Sequence, residues 1–499
     1  MEITQLLSIV PMRQHLNRPI SFSLVSALGM SMLISQALGA GLVIPDNGSV
    51  ATARGGASVS GIHDPSAGFL NPSLLSRLSG LRISYHHNLI MSNVSFERTE
   101  SVIPDSYSEY DQLSESEQAI GRGRSENESP FFPLNGLLAI SYQLNPKMTL
   151  GFSVHGPNSG GASSYDELSS SRYMMTDFSG LLGFVGGSFA YGGDRWGVGT
   201  TLQLASMTNM NYKMIVDGTS NQTLNPYVSG FDVEAEIDVS AAPEFTALLG
   251  AWFRPTKSFE IAASGRVLPV HFRAEGDVRV ANTVTPTVFP ESSLKIEGGS
   301  AAFDFSLPQT ARLGFRYINI DQNGAENFDL ELALVYEGWS VMDELEVELK
   351  GYVMALSADL QNVVIPKKWR DTLSARLGST WRALPYLSLH SGVFFEQGAS
   401  PEAYAHIDFP SYDRFGGSLG LSFFITKNLE LVVGYLQIFE HQIEVSEFEG
   451  KVFQQRPISP CPERCGMNDA GENYSGVPAN AGLHTISFQS FTLGINSSF

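Results

Sequence analysis

The chain has 499 residues, of which 16% are charged and 43% are hydrophobic, and its formal net charge is −20. A charged fraction well below the about 25% of soluble proteins, with average hydropathy, excludes a disordered chain and a helical membrane protein. The acidic balance excludes nucleic acid as a partner, because phosphate contacts need clustered lysine and arginine. Low charge with 48 glycines is typical of strands that have one apolar and one polar face.

The N-terminus has the features of a secretory signal peptide. Two arginines precede the apolar segment 20–34, which is shorter than a transmembrane helix of about 20 residues. Small residues before Ala40 predict cleavage there, so residues 1–39 are assigned to the signal peptide. The start is either Met1 or Met12, and Met12 gives the more ordinary signal length. The mature chain is therefore exported.

The next segment, 40–80, does not alternate in polarity. It is rich in glycine, alanine and serine and contains turn signals such as Asn71-Pro72. Two interpretations are open at this point: a periplasmic tail, or a segment that folds inside a barrel and fills it. Large barrels enclose water unless something fills them.

From residue 81 to residue 499 the dominant pattern is alternation with a period of two, which indicates strands. In Phe415–Thr426, for example, apolar side chains share one face and glycine, serine and threonine share the other. The apolar faces end in aromatic residues, as at the interfaces of membrane barrels. About fourteen such segments occur, and short turns alternate with long polar loops. The sequence therefore predicts an all-β protein, a membrane-spanning antiparallel β-barrel of about 14 strands.

The last strand ends at Phe499. A terminal strand with a C-terminal aromatic residue resembles the signal that outer-membrane assembly machinery recognises, so this machinery is an expected partner.

The two cysteines, Cys461 and Cys465, are separated by three residues. Two thiolates alone leave a zinc site half made, whereas an oxidising compartment allows a small disulfide loop. The export signal favours the disulfide.

Enzymatic activity is not expected. The histidines are scattered, and no Ser/His/Asp arrangement has a recognisable spacing. No cofactor and no metal site is predicted. A general hydrophilic porin is the alternative class, and a plug-like N-terminal segment is the feature that argues against it.

Several segments, taken in order along the chain, resemble the long-chain fatty acid transporter family, the FadL/TodX-type outer-membrane proteins. These segments are Ser49–Ser58, Asp64–Leu74, His155–Gly160, Leu307–Gly314 and Trp339–Leu345. No single motif is specific, but their order and spacing cover essentially the whole mature chain. The short loop 217–233, the acidic stretch Glu97–Glu128 and the cysteine loop are departures from the family pattern.

The resemblance implies a domain organisation and a location. It assigns residues 40–80 to a plug, or hatch, in the lumen, with Arg54, Asn71 and Pro72 as plug residues, and residues 81–499 to the barrel. The expected location is the outer membrane of a Gram-negative bacterium, in contact with its lipid, and a plugged barrel can act as a monomer.

The resemblance also implies passive uptake of hydrophobic small molecules, above all long-chain fatty acids. Substrate would enter from the extracellular loops, shift the plug and leave sideways where the third strand is kinked. Gly156, Pro157 and Gly160 are the predicted gate, because proline removes a ladder donor and glycine tolerates unusual torsions. The alternative is that these residues only begin a loop.

Basic residues are the expected contacts of a substrate carboxylate. The predicted substrate-binding residues are Lys213, Lys368, Arg370 and Arg376. The alternative is that such residues pair with nearby carboxylates and only hold the barrel together. Because an acidic surface repels anionic fatty acids, uptake of aromatic hydrocarbons also stays open as a function.

Overall fold

A computed structural model describes residues 47–99, 123–157, 161–217, 232–283, 294–322, 324–354, 358–455 and 478–499. Two short α-helices lie at the start, α1 (Ser49–Ala53) and α2 (Ala67–Leu70), followed by a 3₁₀ helix, Pro72–Arg77. Two further 3₁₀ turns are Trp339–Val341 and Glu402–Tyr404. Within the described residues, no helix is long and apolar enough to cross a membrane.

The strands make up most of the described chain. They are β1 (Leu81–Arg98), β2 (Ser125–Glu126), β3 (Phe131–Asn145), β4 (Met148–His155), β5 (Ala162–Ser164), β6 (Asp177–Gly192), β7 (Trp196–Asp217), β8 (Asp232–Ala241), β9 (Glu244–Thr256), β10 (Phe259–Arg266), β11 (Val270–Asn282), β12 (Ile296–Leu307), β13 (Thr310–Ile320), β14 (Glu326–Glu337), β15 (Glu344–Val353), β16 (Ala358–Asp359), β17 (Val363–Pro366), β18 (Thr372–Leu384), β19 (Leu387–Glu396), β20 (Arg414–Thr426), β21 (Leu429–Val445) and β22 (Gly482–Ser498).

In the described part of the chain, fourteen of these strands form a closed antiparallel ring. The order is β1, β3, β4, β6, β7, β9, β10, β13, β14, β18, β19, β20, β21 and β22. The ring closes where β1 pairs with β22 over its whole length, from Arg82↔Ser498 to Arg98↔Gly482. The predicted fold class, a barrel of about 14 strands, is confirmed.

The two faces of the wall differ in polarity. On β14 the outward side chains Leu330, Leu332 and Leu334 are 39%, 41% and 42% exposed, whereas Asp329 and Glu331 point inward and are buried. Such apolar outer positions suit contact with lipid, and the inward polar positions suit a filled lumen.

Five neighbouring strands of the ring are interrupted at the same level. Beyond the interruptions β8, β11, β12, β15 and β17 continue them, and β7 pairs with β8, so that these strands form a curved second tier. Pro243, Pro269, Pro308 and Pro366 lie at or beside four of the five breaks. Proline has no backbone N–H, so it ends a hydrogen-bonded ladder. The prolines thus separate the second tier from the closed ring.

The two ends of the barrel differ in the length of their connections. One end has tight turns, such as those between β3 and β4, β6 and β7, and β20 and β21, while the second tier and the long connections lie at the other end. Bacterial barrels carry short turns on the periplasmic side and long loops on the extracellular side. The second tier therefore lies toward the extracellular side.

Candidate functional site

The segment that precedes β1, residues 47–79, lies inside the ring. Helix α1 contacts β19, β20, β21, β22 and β1, and the 3₁₀ helix at Pro72–Arg77 contacts β4, β6, β7 and β9 on the other side. Most of its side chains are buried. A segment outside a barrel cannot contact strands all around the circumference, so this one fills the lumen, and we call it the internal segment.

Arg54 anchors the internal segment to the wall. Its side chain is 0% exposed, and its guanidinium lies 2.7 Å from Asp329 Oδ1 and 3.1 Å from Glu331 Oε2. The backbone N–H groups of Ser60 and Gly61 donate to the two oxygens of Glu331, each at 2.8 Å. The segment therefore supplies the buried Glu331 with three donors and gives Asp329 a cation.

The ion pairs around Arg54 continue into a balanced network. Arg77 of the internal segment pairs with Glu260, which also accepts from Arg254, and Arg316 pairs with Asp329. With Glu326, which pairs with Arg254 and Arg316, the network holds four arginines and four carboxylates. Removing one arginine would leave buried negative charge uncompensated, which is costly.

Asn71 and Pro72 rest on a pair of glycines in the wall. Gly199 of β7 and Gly250 of β9 are cross-strand neighbours. A Cβ atom built on Gly250 would collide with Asn71 Oδ1, and one on Gly199 would lie 2.5 Å from the Pro72 carbonyl carbon. Asn71 Oδ1 in turn accepts from the Ser73 hydroxyl at 2.6 Å. The glycines are needed because the Asn-Pro turn approaches the wall backbone closely.

A valine at position 250 is expected to loosen the internal segment. Because overpacking costs about 1–3 kcal/mol, Gly250→Val should speed tryptic cleavage after Arg77 about tenfold, measured by mass spectrometry on purified protein. The matched control is Gly187→Val, because a Cβ on Gly187 has no neighbour within 4 Å. Equal cleavage rates in the two variants would contradict the role of the glycine pair.

An apolar cavity lies within the second tier, and we call it the outer cavity. The empty space among its lining side chains is about 690 Å³, and the side chains come from β7, β8, β11, β12, β15, β17 and the β19–β20 loop. Among the described residues that line it, Tyr212 alone carries a hydroxyl group. Its buried lining side chains include Met210, Met214, Phe303, Phe305 and Phe409.

Two loops from the extracellular end fold inward against this cavity. In the β5–β6 loop, Arg172, Tyr173 and Met174 are buried, and the Tyr212 hydroxyl donates to the Met174 carbonyl oxygen at 2.7 Å. In the β19–β20 loop, the Phe409 ring lies 5.9 Å from that of Phe178. The outer cavity is therefore covered by these loops.

A second cavity, the inner cavity, lies between the internal segment and the wall. It has about 810 Å³ of empty space and is lined by Phe69 and Leu70 of the internal segment, with Arg266, Arg312 and Glu337 from the wall. Two guanidinium groups against one carboxylate give the lining a formal charge of +1. An apolar cavity with a net cation suits an amphipathic anion.

Among the described residues, the ladder on one edge of β6 is interrupted beside the inner cavity, and we call this interruption the gap. β4 pairs with β6 as far as His155↔Phe184, and β5 resumes the pairing at Ala162↔Ser179. In the described residues, no ladder pair of β4 or β5 covers β6 residues 181–183.

The internal segment holds the edge of this gap. Asn47 Nδ2 donates to the Gly156 carbonyl oxygen at 2.8 Å, and the Phe69 ring stacks on His155 with 4.1 Å between centroids. Gly156 and Pro157 line the inner cavity. The gap is therefore in contact with both the cavity and the internal segment.

The structure places the predicted substrate-binding residues in different settings. Lys213 points to the opposite face of β7 from Tyr212, 3.8 Å from Glu234, and Lys368 Nζ lies 2.6 Å from Asp343. The Arg370 side chain is exposed. Arg376 points into the lumen, where it pairs with Glu396 at 2.6 Å. Their role in substrate binding stays a prediction.

Some predicted sites fall outside the described residues. These are Gly160 of the predicted gate, both cysteines of the predicted disulfide, and the predicted signal peptide. Among the residues that are described, no group of three or more histidines, cysteines and carboxylates is arranged to hold a metal ion.

Sequence reasoning missed Arg266 and Lys367. Arg266 ends β10 just before Pro269, and Lys367 follows Pro366. A basic residue beside a strand-breaking proline was the available signal, but its meaning depends on the prolines lying at one level.

A closed antiparallel ring with an apolar exterior and polar inward positions defines the class of the protein as a membrane β-barrel. Residues 30–459 match the family described as outer membrane protein transport protein (OMPP1/FadL/TodX), and the chain belongs to this family. It is therefore an outer-membrane protein of a Gram-negative bacterium, in a family of hydrocarbon and fatty-acid transporters whose members are channels.

Solved structures show the same fold. A Pseudomonas aeruginosa FadL homologue is 15% identical, with a TM-score of 0.68 over 92% of this chain and 100% of that chain. The Ralstonia pickettii toluene transporter TbuX is 15% identical, with a TM-score of 0.61 over 91% and 99%. The Pseudomonas putida toluene transporter TodX is 13% identical, with a TM-score of 0.62 over 92% and 100%. No curated protein matches the sequence at a significant level.

Proposed function

We propose that this protein takes up long-chain fatty acids across the outer membrane by passive diffusion through the lumen and sideways into the membrane. The observation that carries the proposal is the inner cavity, which joins apolar walls, two arginines and the gap in the barrel wall. This combination of features is not expected in a hydrophilic porin.

The first step is capture in the outer cavity. A hydrocarbon chain gains about 0.8 kcal/mol for each CH₂ group that leaves water. The lining of Met210, Met214, Phe303 and Phe305 offers this burial without competing polar groups. A water-filled pore offers a lipophile no such gain, so an apolar lining is what drives uptake without an energy source.

The second step is transfer to the inner cavity. There Arg266 and Arg312 are placed to pair with a carboxylate, while Phe69, Leu70 and Phe184 surround the chain. The Arg266 guanidinium carbon lies 5.2 Å from the Phe184 ring centroid, so the cation borders the apolar wall. An amphipathic anion is recognised by such a border between charge and hydrocarbon.

The third step is exit through the wall. Movement of the internal segment would withdraw Asn47 and Phe69 from the edge of the gap. Gly156 and Pro157 then leave an opening toward the membrane, because proline cannot extend the ladder. With a sideways exit, the hydrocarbon chain does not cross the polar lumen below the internal segment. Arg254, Arg316 and Glu326 line a polar cavity there.

Uptake of aromatic hydrocarbons is the second candidate, favoured by the outer cavity, whose lining carries no charged side chain. The TbuX and TodX structures are described as toluene transporters. The arginines of the inner cavity are the feature that favours the fatty acid.

Uptake by a deletion strain tests the proposal. Without the gene, cells should lose most uptake of labelled oleate, and a plasmid copy should restore it. Labelled toluene, given to the same strains, is the second arm. Loss of toluene uptake alone would identify the aromatic hydrocarbon as substrate, and unchanged uptake of both would contradict transport of either class.

A further inference from the structure

The tip of the β19–β20 loop carries a carboxylate that is held by a buried cation. Lys367 Nζ lies 2.7 Å from both oxygens of Asp408, and the two side chains are 1% and 0% exposed. His406 Nδ1 lies 2.6 Å from Asp408 Oδ1, on the same loop. The proposed pathway uses none of these three residues so far.

This ion pair borders the outer cavity. Val363 and Ile365 of β17 line the cavity, and Lys367 continues the same inward-facing row. Phe409, next to Asp408, also lines the cavity, and its ring centroid lies 5.2 Å from Lys367 Nζ. Once the loop tip moves, a carboxylate at the end of a chain in the cavity reaches Lys367.

The charges suit an exchange of partners. Burial alone would raise the pKa of Asp408, but His406 and Lys367 hold that pKa well below the ordinary value of an aspartate, so the group is a carboxylate. The Phe409 N–H donates to Asp408 Oδ1 at 2.5 Å, and the Tyr212 hydroxyl lies further away, 3.5 Å from Oδ2.

We propose that Asp408 is an internal competitor for the substrate: it occupies Lys367, and the carboxylate of a fatty acid displaces it and moves the loop tip, residues 406–410. This specificity step rests on the proposed function. Exchange of one carboxylate for another preserves the buried ion pair. A neutral lipophile supplies no carboxylate, so displacement would leave Lys367 buried without a countercharge, which is strongly unfavourable.

Binding of two matched ligands tests the exchange. Purified protein in detergent is titrated with oleate and with oleyl alcohol, which has the same chain without the charge. Asp408→Asn should bind oleate about tenfold more tightly than the parent protein, because Lys367 is no longer occupied by a charged competitor. Its affinity for oleyl alcohol should stay within about twofold. Glu402→Gln, an exposed change in the same loop, is the control for both ligands.

A complementary test removes the cation, Lys367, instead of the carboxylate. Lys367→Met should lower the preference for oleate over oleyl alcohol, leaving only the part that the arginines of the inner cavity supply. Because this variant leaves Asp408 without its cation, the double variant Lys367→Met/Asp408→Asn, in which both charges are removed, keeps the test open if the single variant does not fold. A preference for oleate that is undiminished in the double variant, or equal changes for both ligands in Asp408→Asn, would overturn the exchange.

Failure of the exchange and failure of transport give different results. If oleate uptake by cells does not depend on the protein but Asp408→Asn still binds oleate selectively, the proposed function fails and the exchange stands. If uptake depends on the protein but the variants bind both ligands alike, the ion pair only fastens the loop.

Discussion

Replacing Arg54 with methionine is expected to accelerate tryptic cleavage after Arg77 by at least about a hundredfold, since loss of one partner of a buried ion pair costs about 3–5 kcal/mol. The substitution leaves Asp329 and Glu331, both buried, facing an apolar side chain. Methionine fills most of the same volume, so the loss is electrostatic rather than a cavity. Release of the internal segment lets both carboxylates regain water.

The control for this experiment is an arginine of the barrel wall, Arg382 in β18. Arg382→Met changes the same residue type, but the Arg382 side chain is exposed and donates to the Pro385 carbonyl oxygen. Cleavage after Arg77 in that variant should match the parent protein. If Arg54→Met and Arg382→Met are cleaved at the same rate, the ion-pair network does not hold the internal segment. The cleaved bond is informative because Arg77 itself is paired with Glu260 and is largely buried.

The ring of strands was predictable because its signal is local. Each strand repeats apolar and polar residues with a period of two, and the count of about fourteen needed no knowledge of pairing. Arg312, Arg316 and Arg376 lie at inward positions of this alternation. Their partners do not follow from it, because Arg316 pairs with Asp329 and Arg376 with Glu396, and a partner on another strand depends on register.

The second tier was not predictable for a related reason. The prolines at positions 243, 269, 308 and 366 are spread along the sequence and lie at one level only after the strands are paired. Lys367 lies inward and buried, whereas Lys368, which adopts a φ of +49°, points outward to Asp343. The sequence pattern marked Lys368, whereas the residue next to the outer cavity is Lys367.

The contacts of Arg54 show most clearly what the sequence pattern cannot predict. Its carboxylate partners lie 275 and 277 positions further along the chain. The pattern around Arg54 predicted only a loop rich in small residues, and the resemblance to the family supplied the idea of a plug. Nothing local to Arg54 identifies Asp329 or Glu331.

A cysteine pair that fastens the internal segment to the wall tests the proposed exit most directly. A Cβ built on Gly68 lies 3.8 Å from the Ser188 Cβ, which is the mean separation of about 3.8 Å in native disulfides. Gly68 precedes Phe69, whose ring stacks on His155 beside the gap. Gly68→Cys/Ser188→Cys should therefore hold the gap covered.

The measurement is uptake of labelled oleate by cells carrying this pair in a Cys461→Ser/Cys465→Ser background. Ser379→Cys/Ser391→Cys, which joins β18 to β19 within the wall, is the control and should transport like the parent. Under oxidising conditions the Gly68–Ser188 pair should reduce uptake to the level of the deletion strain, and a reducing agent should restore it. Full uptake with the disulfide formed would show that the internal segment does not need to move.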